Sequence, residues 1–313
     1  MGRFLRQSHS ALLLLAAMSV AFSITQRSFF SIENLTNIGV QTSLLGLMTI
    51  GMALTVITGN LDLSVGSVAA LSGILFASFA DWPLWLAALG AILAGVAAGG
   101  LNGVLIGKFR FNSIIVTLAT MALGEGLALW ASRGYPIPGD SDDFEMLGGG
   151  FFLHVPLPIV FFAIAAVVVG ALLTQTQFGR DLYAIGSNLE LATLCDIPVA
   201  SRLVVVYAFS AALSASAGIV LASRLNTASP LVGEEAPLQA LVALVIGGTP
   251  LSGGEGGMGN VVLGLLIVSV LSTGLNLWNI PPANRWGITG ALLILFAILD
   301  RGRRRSRFAQ EGT

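Results

Sequence analysis

Polar residues set inside long apolar runs carry whatever chemistry this sequence has. Gly59-Asn60-Leu61-Asp62-Leu63-Ser64 interrupts two hydrophobic stretches, and Asn102, Glu125 and Asn276 stand within three others. Such groups are costly in hydrocarbon, and they are kept where they line a solute or ion pathway or find partners inside a bundle. Asn60, Asp62, Ser64, Asn102, Glu125 and Asn276 are therefore candidate pathway or cavity residues. A second role is equally open to Asp62, because a carboxylate just before a helix accepts from free N–H groups of the first turn. Catalysis finds no support, since neither a nucleophile–base pair nor paired catalytic carboxylates occur. Cys195 is the sole cysteine and His9 and His154 are the only histidines, so no disulfide within the chain and no metal site is expected.

Two glycine motifs have a tempting nucleotide reading that their context rejects. Gly254-x-Gly256-x-x-Gly259 matches a dinucleotide fingerprint as a string, but that fingerprint needs a preceding strand in a βαβ unit, and here a membrane helix follows. It reads as a flexible turn where helices break and backbone groups face a cavity. No G-x-x-x-x-G-K-[ST] occurs, so the chain is not itself a P-loop ATPase. Val245-Ile246-Gly247-Gly248-Thr249-Pro250-Leu251-Ser252 echoes Val56-Ile57-Thr58-Gly59 and the Leu-Ser beyond it. Two related breaks suggest a weak internal repeat, and in transporters such breaks often line the pathway.

The elements that must hold these residues are membrane helices. Of the 313 residues, 55% are hydrophobic and 10% charged, where a soluble domain carries roughly a quarter charged. The net charge of −1 says nothing about nucleic acid, but no long basic face exists to bind it, so nucleic acid is not expected as a partner. Ten candidate spans follow: Ser8–Thr25, Asn37–Ile57, Leu63–Ala80, Leu84–Ile106, Ser113–Ala131, Val155–Thr174, Leu203–Ser223, Leu238–Gly248, Gly259–Leu277 and Trp286–Leu299. The eighth is short and reads as re-entrant or broken. Ala21-Phe22-Ser23 loosely resembles a signal-peptidase site, yet an uncleaved first helix fits the charge pattern better. With the N-terminus inside, Arg3, Arg6, Lys108, Arg110, Arg180, Arg202 and the tail Arg301, Arg303, Arg304, Arg305 and Arg307 fall inside; Arg27, Arg133, Arg224 and Arg285 fall outside with the acidic Asp140, Asp142, Asp143 and Glu145. On the fourth span Gly95, Gly99, Gly103 and Gly107 continue Ala87 and Ala91 in a small-residue row that lets backbones approach.

The segment Gln175–Ser201 is inside and long for a connector. Asn188–Leu194 reads as a short amphipathic helix capped by Asn188, with Glu190 in its first turn. Bounded by Gly186, a flexible lead-in, and by Pro198, it makes a docking knob for a cytoplasmic partner. An interfacial helix lying on lipid is the alternative.

These residues resemble the ATPase-coupling segment of permeases in the carbohydrate ABC importer family typified by ribose uptake, roughly T-x-F-G-R-x-x-Y-A-I-G-x-N-x-x-A-A-x-x-x-G-I. Thr176, Phe178, Gly179, Arg180, Tyr183, Ala184, Ile185, Gly186, Asn188, Ala192 and Ile197 match. Ile57–Gly66 resembles I-T-G-G-I-D-L-S-V-G, and similarity extends through Leu101–Gly103, Ile115–Leu118, Gly247–Gly256 and Gly274–Leu277. Departures are Cys195-Asp196 where a Gly is expected, Ser113-Ile114 for Pro-Phe, and Glu125 for Arg. The resemblance implies an all-α polytopic membrane protein with about ten transmembrane helices, like the vitamin B12-importer-type (type II) permease. Residues 1–313 would form one transmembrane permease domain with a cytoplasmic coupling loop, 175–201. Gly179, Arg180, Tyr183, Ala184, Gly186, Asn188, Glu190 and Ala192 are the implied coupling residues. The chain would bind no cofactor, with ATP and Mg on a cytoplasmic ATP-binding subunit. A second permease copy or a non-identical sister permease and a periplasmic substrate-binding protein complete the implied assembly, in the bacterial inner (cytoplasmic) membrane with both termini cytoplasmic. The expected action is import of a sugar or related small polar solute by alternating access. An ion-gradient-driven secondary transporter is the rival, with Asp62 and Glu125 as ion sites.

Overall fold

The computed structural model describes residues 2–139, 142–281, 283–285 and 287–291. Among them run the helices α1 (Gly2–Thr25), α2 (Ile32–Ile57), α3 (Val65–Ser78), α4 (Leu84–Gly107), α5 (Ser113–Ala131), α6 (Met146–Gly149), α7 (Leu157–Gln175), α8 (Gln177–Ser187), α9 (Leu189–Leu194), α10 (Val199–Leu225), α11 (Ala236–Gly247) and α12 (Met258–Leu277). The strands are two-residue pieces. β1 (Ile137–Pro138) pairs antiparallel with β4 (Thr227–Ala228), and β2 (Phe151–Phe152) with β3 (Val155–Pro156).

Six of these helices are long and apolar enough to cross a membrane: α2, α4, α5, α7, α10 and α12. Shorter apolar helices, Ala11–Thr25, α3 and α11, stand at the places of the first, third and eighth expected spans. The tenth expected span, Trp286–Leu299, lies largely outside the described residues, as do Asp140 and the basic tail. The third span is shorter than expected, because the polar interruption runs on to Ser64 and the helix closes at Phe79. At 14 residues it is about 21 Å long, less than the roughly 30 Å of a hydrocarbon core. The 12 residues of α11 reach about 18 Å and end on Gly248, left-handed at φ 92°.

Helix α10 is the hub, packed against α2, α3 and α4. The small-residue row of α4 lies on it: a side chain at Gly99 would collide with the Tyr207 carbonyl, and one at Gly103 with the Val204 backbone. Consecutive helices alternate between two ends. At one end Gly254 N–H donates to the Ile57 carbonyl at 2.9 Å, and Leu61 N–H to Ser113 Oγ at 3.3 Å. At the other, β1 meets β4, Trp278 Nε1 donates to Thr25 Oγ1 at 3.0 Å, and Gly148 N–H donates to Ser223 Oγ at 2.8 Å. Lys108, Arg110, Arg180 and Arg202 sit at the first, the break end; Arg27, Arg133 and Arg224 sit at the second, the ribbon end.

Candidate functional site

The connector between α7 and α10 is two helices, not a loop with one. Thr176 caps α8 by accepting from Gly179 N–H at 3.2 Å, and Asn188 caps α9 by accepting from Leu191 N–H at 3.0 Å. The expected short helix is therefore present with its expected cap, and Glu190 lies in its first turn. Gly186 differs from expectation. It is a helical residue of α8 rather than a flexible lead-in, and a Cβ there would collide with the Ile57 carbonyl and press on Gly254 N. Nearby, Gly59 and Gly253 both have positive φ, 77° and 80°, and a Cβ on Gly253 would crowd the Gly59 backbone. Three backbones thus meet where side chains cannot fit: the end of α2, the loop before α12, and α8. The glycine-rich turn 253–256 packs against the other two segments.

Further contacts fix α8. Tyr183 Oη donates to the Gly256 carbonyl at 2.9 Å, and burial raises its pKa above the ordinary tyrosine value, which keeps that donor protonated. Asp181 accepts from Arg202 Nε at 2.8 Å and pairs with its Nη2 at 2.8 Å, while the guanidinium lies 5.4 Å from the Phe178 ring centre. The ion pair joins α8 to the first turn of α10. Of the remaining coupling candidates, Ala192 is buried and Ala184 half-buried, Gly179 packs on the last carbonyls of α7, and Arg180 and Glu190 are exposed. Asp196 adopts φ 58°, a left-handed conformation that Asp tolerates, at the place where the resemblance leads one to expect Gly.

Three of the six pathway candidates, Asp62, Ser64 and Asn102, converge beside the junction. Asp62 is 1% exposed and accepts from Ser64 N–H at 3.1 Å, Ser64 Oγ at 2.6 Å and Ser210 Oγ at 2.8 Å. Asn102 Nδ2 donates to Ser64 Oγ at 3.3 Å and its Oδ1 accepts from Thr120. Tyr207 Oη donates to the Leu61 carbonyl at 2.9 Å. This cluster ties α3, α4, α5 and α10 together; Ser64, not Asp62, is the N-cap residue of α3, and Asp62 holds the turn before the helix through the Ser64 N–H rather than capping its first turn. Asn60 turns back on Thr58, to its carbonyl and Oγ1, each at 3.2 Å. Glu125 stands apart on α5, half-buried and without a partner among the described residues, and Asn276 is exposed near the end of α12.

None of the six lines the larger cavity, about 520 Å³, which opens at the ribbon end between α2, α11 and α12. Gln41, Glu234, Glu235, Gln239, Ser269 and Ser272 give it polar walls. Sequence reasoning passed over these residues, along with Ser210, Thr120 and the Asp181–Arg202 pair. Gln41 and Gln239 did carry a signal: each is an amide in or beside an apolar run.

The described residues thus hold a buried tie between helices, a backbone junction on a connector and a polar cavity at the far end. The family described as branched-chain amino acid transport system / permease component matches residues 34–297. The ribose import permease protein RbsC of Haemophilus influenzae is 37% identical over 95% of this chain and 94% of its own. Its Bacillus subtilis namesake is 38% identical over 90% and 89%. The L-arabinose transport system permease protein AraH of Escherichia coli is 33% identical over 96% and 92%. This chain belongs to the branched-chain amino acid transport system permease family, as a permease component of an ABC importer.

Proposed function

We propose that this chain carries a sugar or related small polar solute from periplasm to cytoplasm by alternating access, driven by ATP hydrolysis on a separate subunit. The observation that carries the reading is the junction of Gly186 with Ile57 and Gly254. A connector helix seated on two helix breaks without intervening side chains passes a push to both, because close-packed interiors compress little. The names of the ribose and arabinose relatives support a sugar as cargo. The full reading has ten spans in a type II arrangement, in a bacterial inner membrane with both termini cytoplasmic. The segregation of Lys108, Arg110, Arg180 and Arg202 from Arg27, Arg133 and Arg224 supports that orientation. Two permeases, this chain with a copy or a sister, would sit over ATPase subunits that hold ATP and Mg, and a periplasmic binding protein would deliver the cargo. Gly179, Arg180, Tyr183, Ala184, Gly186, Asn188, Glu190 and Ala192 would form the coupling surface.

Uptake of labelled ribose and arabinose into proteoliposomes holding permease, ATPase and binding protein tests the reading. Uptake should require ATP, and replacing Asn188–Leu194 with a Gly/Ser linker should abolish it while the ATPase still hydrolyses. Uptake that ignores ATP and collapses with an ionophore would turn the assignment toward the ion-driven rival.

A further inference from the structure

We propose that the ribbon-end cavity is a transit subsite for a neutral polyhydroxylated solute, held by Gln41, Glu235, Gln239, Ser269 and Ser272. The proposal rests on the sugar-import reading and deepens it by naming where the cargo is held within one permease. At about 520 Å³ the space falls in the range of roughly 300–1,000 Å³ typical of small-molecule sites. On α2 the residues Gln41, Leu44, Leu45 and Met48 line it at helical spacing, and on α12 Val268, Ser269 and Ser272 do the same. Glu235 and Gln239 face it from the start of α11.

The polar groups retain unused hydrogen-bonding capacity. Gln239 Nε2 donates to one Glu235 carboxylate oxygen at 2.8 Å, which leaves the other oxygen and the Gln239 carbonyl open as acceptors. Gln41 Oε1 accepts from Thr273 at 3.5 Å, the outer limit of such a bond, and its two N–H donors are unspent. The hydroxyls of Ser269 and Ser272 make no hydrogen bond among the described residues. Planar amides and a carboxylate offer paired sites that match adjacent hydroxyls on a sugar ring. Leu44, Leu45, Met48 and Val268 supply an apolar wall for its C–H face. Glu234 and Glu235 put negative charge on the lining, and no cation stands among its described residues, so a sugar acid or phosphate is repelled. Arg285 borders only the adjoining void of about 60 Å³ between α11 and α12, too narrow for a sugar. The break end is packed backbone to backbone at its glycine junction, so solute is received at one end and the push is applied at the other.

The test fills the site after folding. In a Cys195→Ser background, which removes the exposed native thiol, Ser272→Cys is reconstituted with ATPase and binding protein. Treatment with a small water-soluble methanethiosulfonate should then cut uptake of labelled ribose or arabinose by about tenfold or more, because space and hydrogen-bond partners vanish together. Prior addition of the transported sugar with ATP should slow the labelling. Tyr135→Cys, in the exposed loop after α5 at the ribbon end, should be modified without loss of uptake. Ser272→Thr keeps the hydroxyl and should keep uptake, whereas Ser272→Trp should lose it. A complex that imports sugar normally after complete modification of Ser272→Cys overturns this subsite and leaves the import reading standing. A wild-type complex that moves no sugar while the Ser272→Cys thiol labels freely overturns the import reading, and the choice of a polyhydroxylated solute falls with it.

Discussion

The two ends of this bundle are built from opposite materials. At the break end, Gly59, Gly186, Gly253 and Gly254 bring three backbones together, and no gap remains for even a methyl group at Gly186. At the ribbon end, α2, α11 and α12 draw apart and leave long polar side chains around an open space. Contact without side chains has no rotamers to absorb a displacement, so it suits transmission. Side chains with free donors and acceptors around a void suit reception. The buried Asp62 cluster belongs to the first regime, since its carboxylate is spent on holding helices.

The contrast is broken most severely at Gly186. Gly186→Val should destabilise the permease by upward of about 3 kcal/mol, beyond ordinary overpacking, because the clash is with backbone that cannot change rotamer. The readouts are yield of monodisperse protein in detergent and thermal stability. Gly259→Ala is the internal control: nothing lies within 4 Å of its would-be Cβ, so it should be neutral or stabilising by about 0.4–1 kcal/mol. If both behave alike, the junction is not a special place.

Asp62 comes next. Asp62→Ala leaves Ser64 N–H and two buried hydroxyls without their acceptor, a loss of about 1–3 kcal/mol. Ser210→Ala separates the two jobs of the carboxylate, since it removes only the link to α10 and keeps the turn before α3. It should cost about 1 kcal/mol. A melting temperature unchanged by Ser210→Ala but lowered by Asp62→Ala would reduce the cluster to the local turn before α3.

Much of this contrast was legible beforehand where it rests on local pattern. Ser113–Ala131 is a helix within its expected bounds, Asn188 caps the expected short helix, and the α4 row from Ala87 to Gly107 packs as small residues must. Each is set by neighbours a few positions away. Helix α8 was hidden because Gly179 and Gly186 are poor helix formers; both are required by close contacts with other segments. The partnership of Asp62 with Ser210 spans 148 positions, and nothing periodic announces it. The cavity was invisible for the same reason, since Gln41, Gln239 and Ser272 come from three helices whose divergence no single helix encodes.

The ion pair that carries α8 onto α10 gives a smaller effect on stability than on coupling. The side chains of Arg202 and Asp181 are 27% and 9% exposed, so Arg202→Ala should cost about 1 kcal/mol after allowance for solvent screening. Its larger consequence should be slack between α8 and α10, read as a rise in ATP hydrolysed per sugar carried. Arg202→Lys keeps the charge and loses the two-nitrogen grip, so it should fall between alanine and wild type. An unchanged ratio in Arg202→Ala would confine transmission to the glycine junction.

The smallest expected stability effect lies at the cavity, and it is the one that most sharpens the comparison. Gln239 is half-buried, and its hydrogen bond runs to Glu235, four residues earlier on the same helix. Such a pair is worth about 0.2–0.5 kcal/mol, and alanine returns a similar amount through helix propensity. The freed Glu235 oxygen meets an open cavity rather than hydrocarbon, so no buried charge is stranded. Gln239→Ala should therefore melt within about 0.5 kcal/mol of wild type. Uptake by the same protein should nevertheless fall, because a group reserved for the solute is gone. A large drop in thermal stability would mean that the ribbon end is as tightly determined as the break end, and the division between a receiving end and a transmitting end would fail.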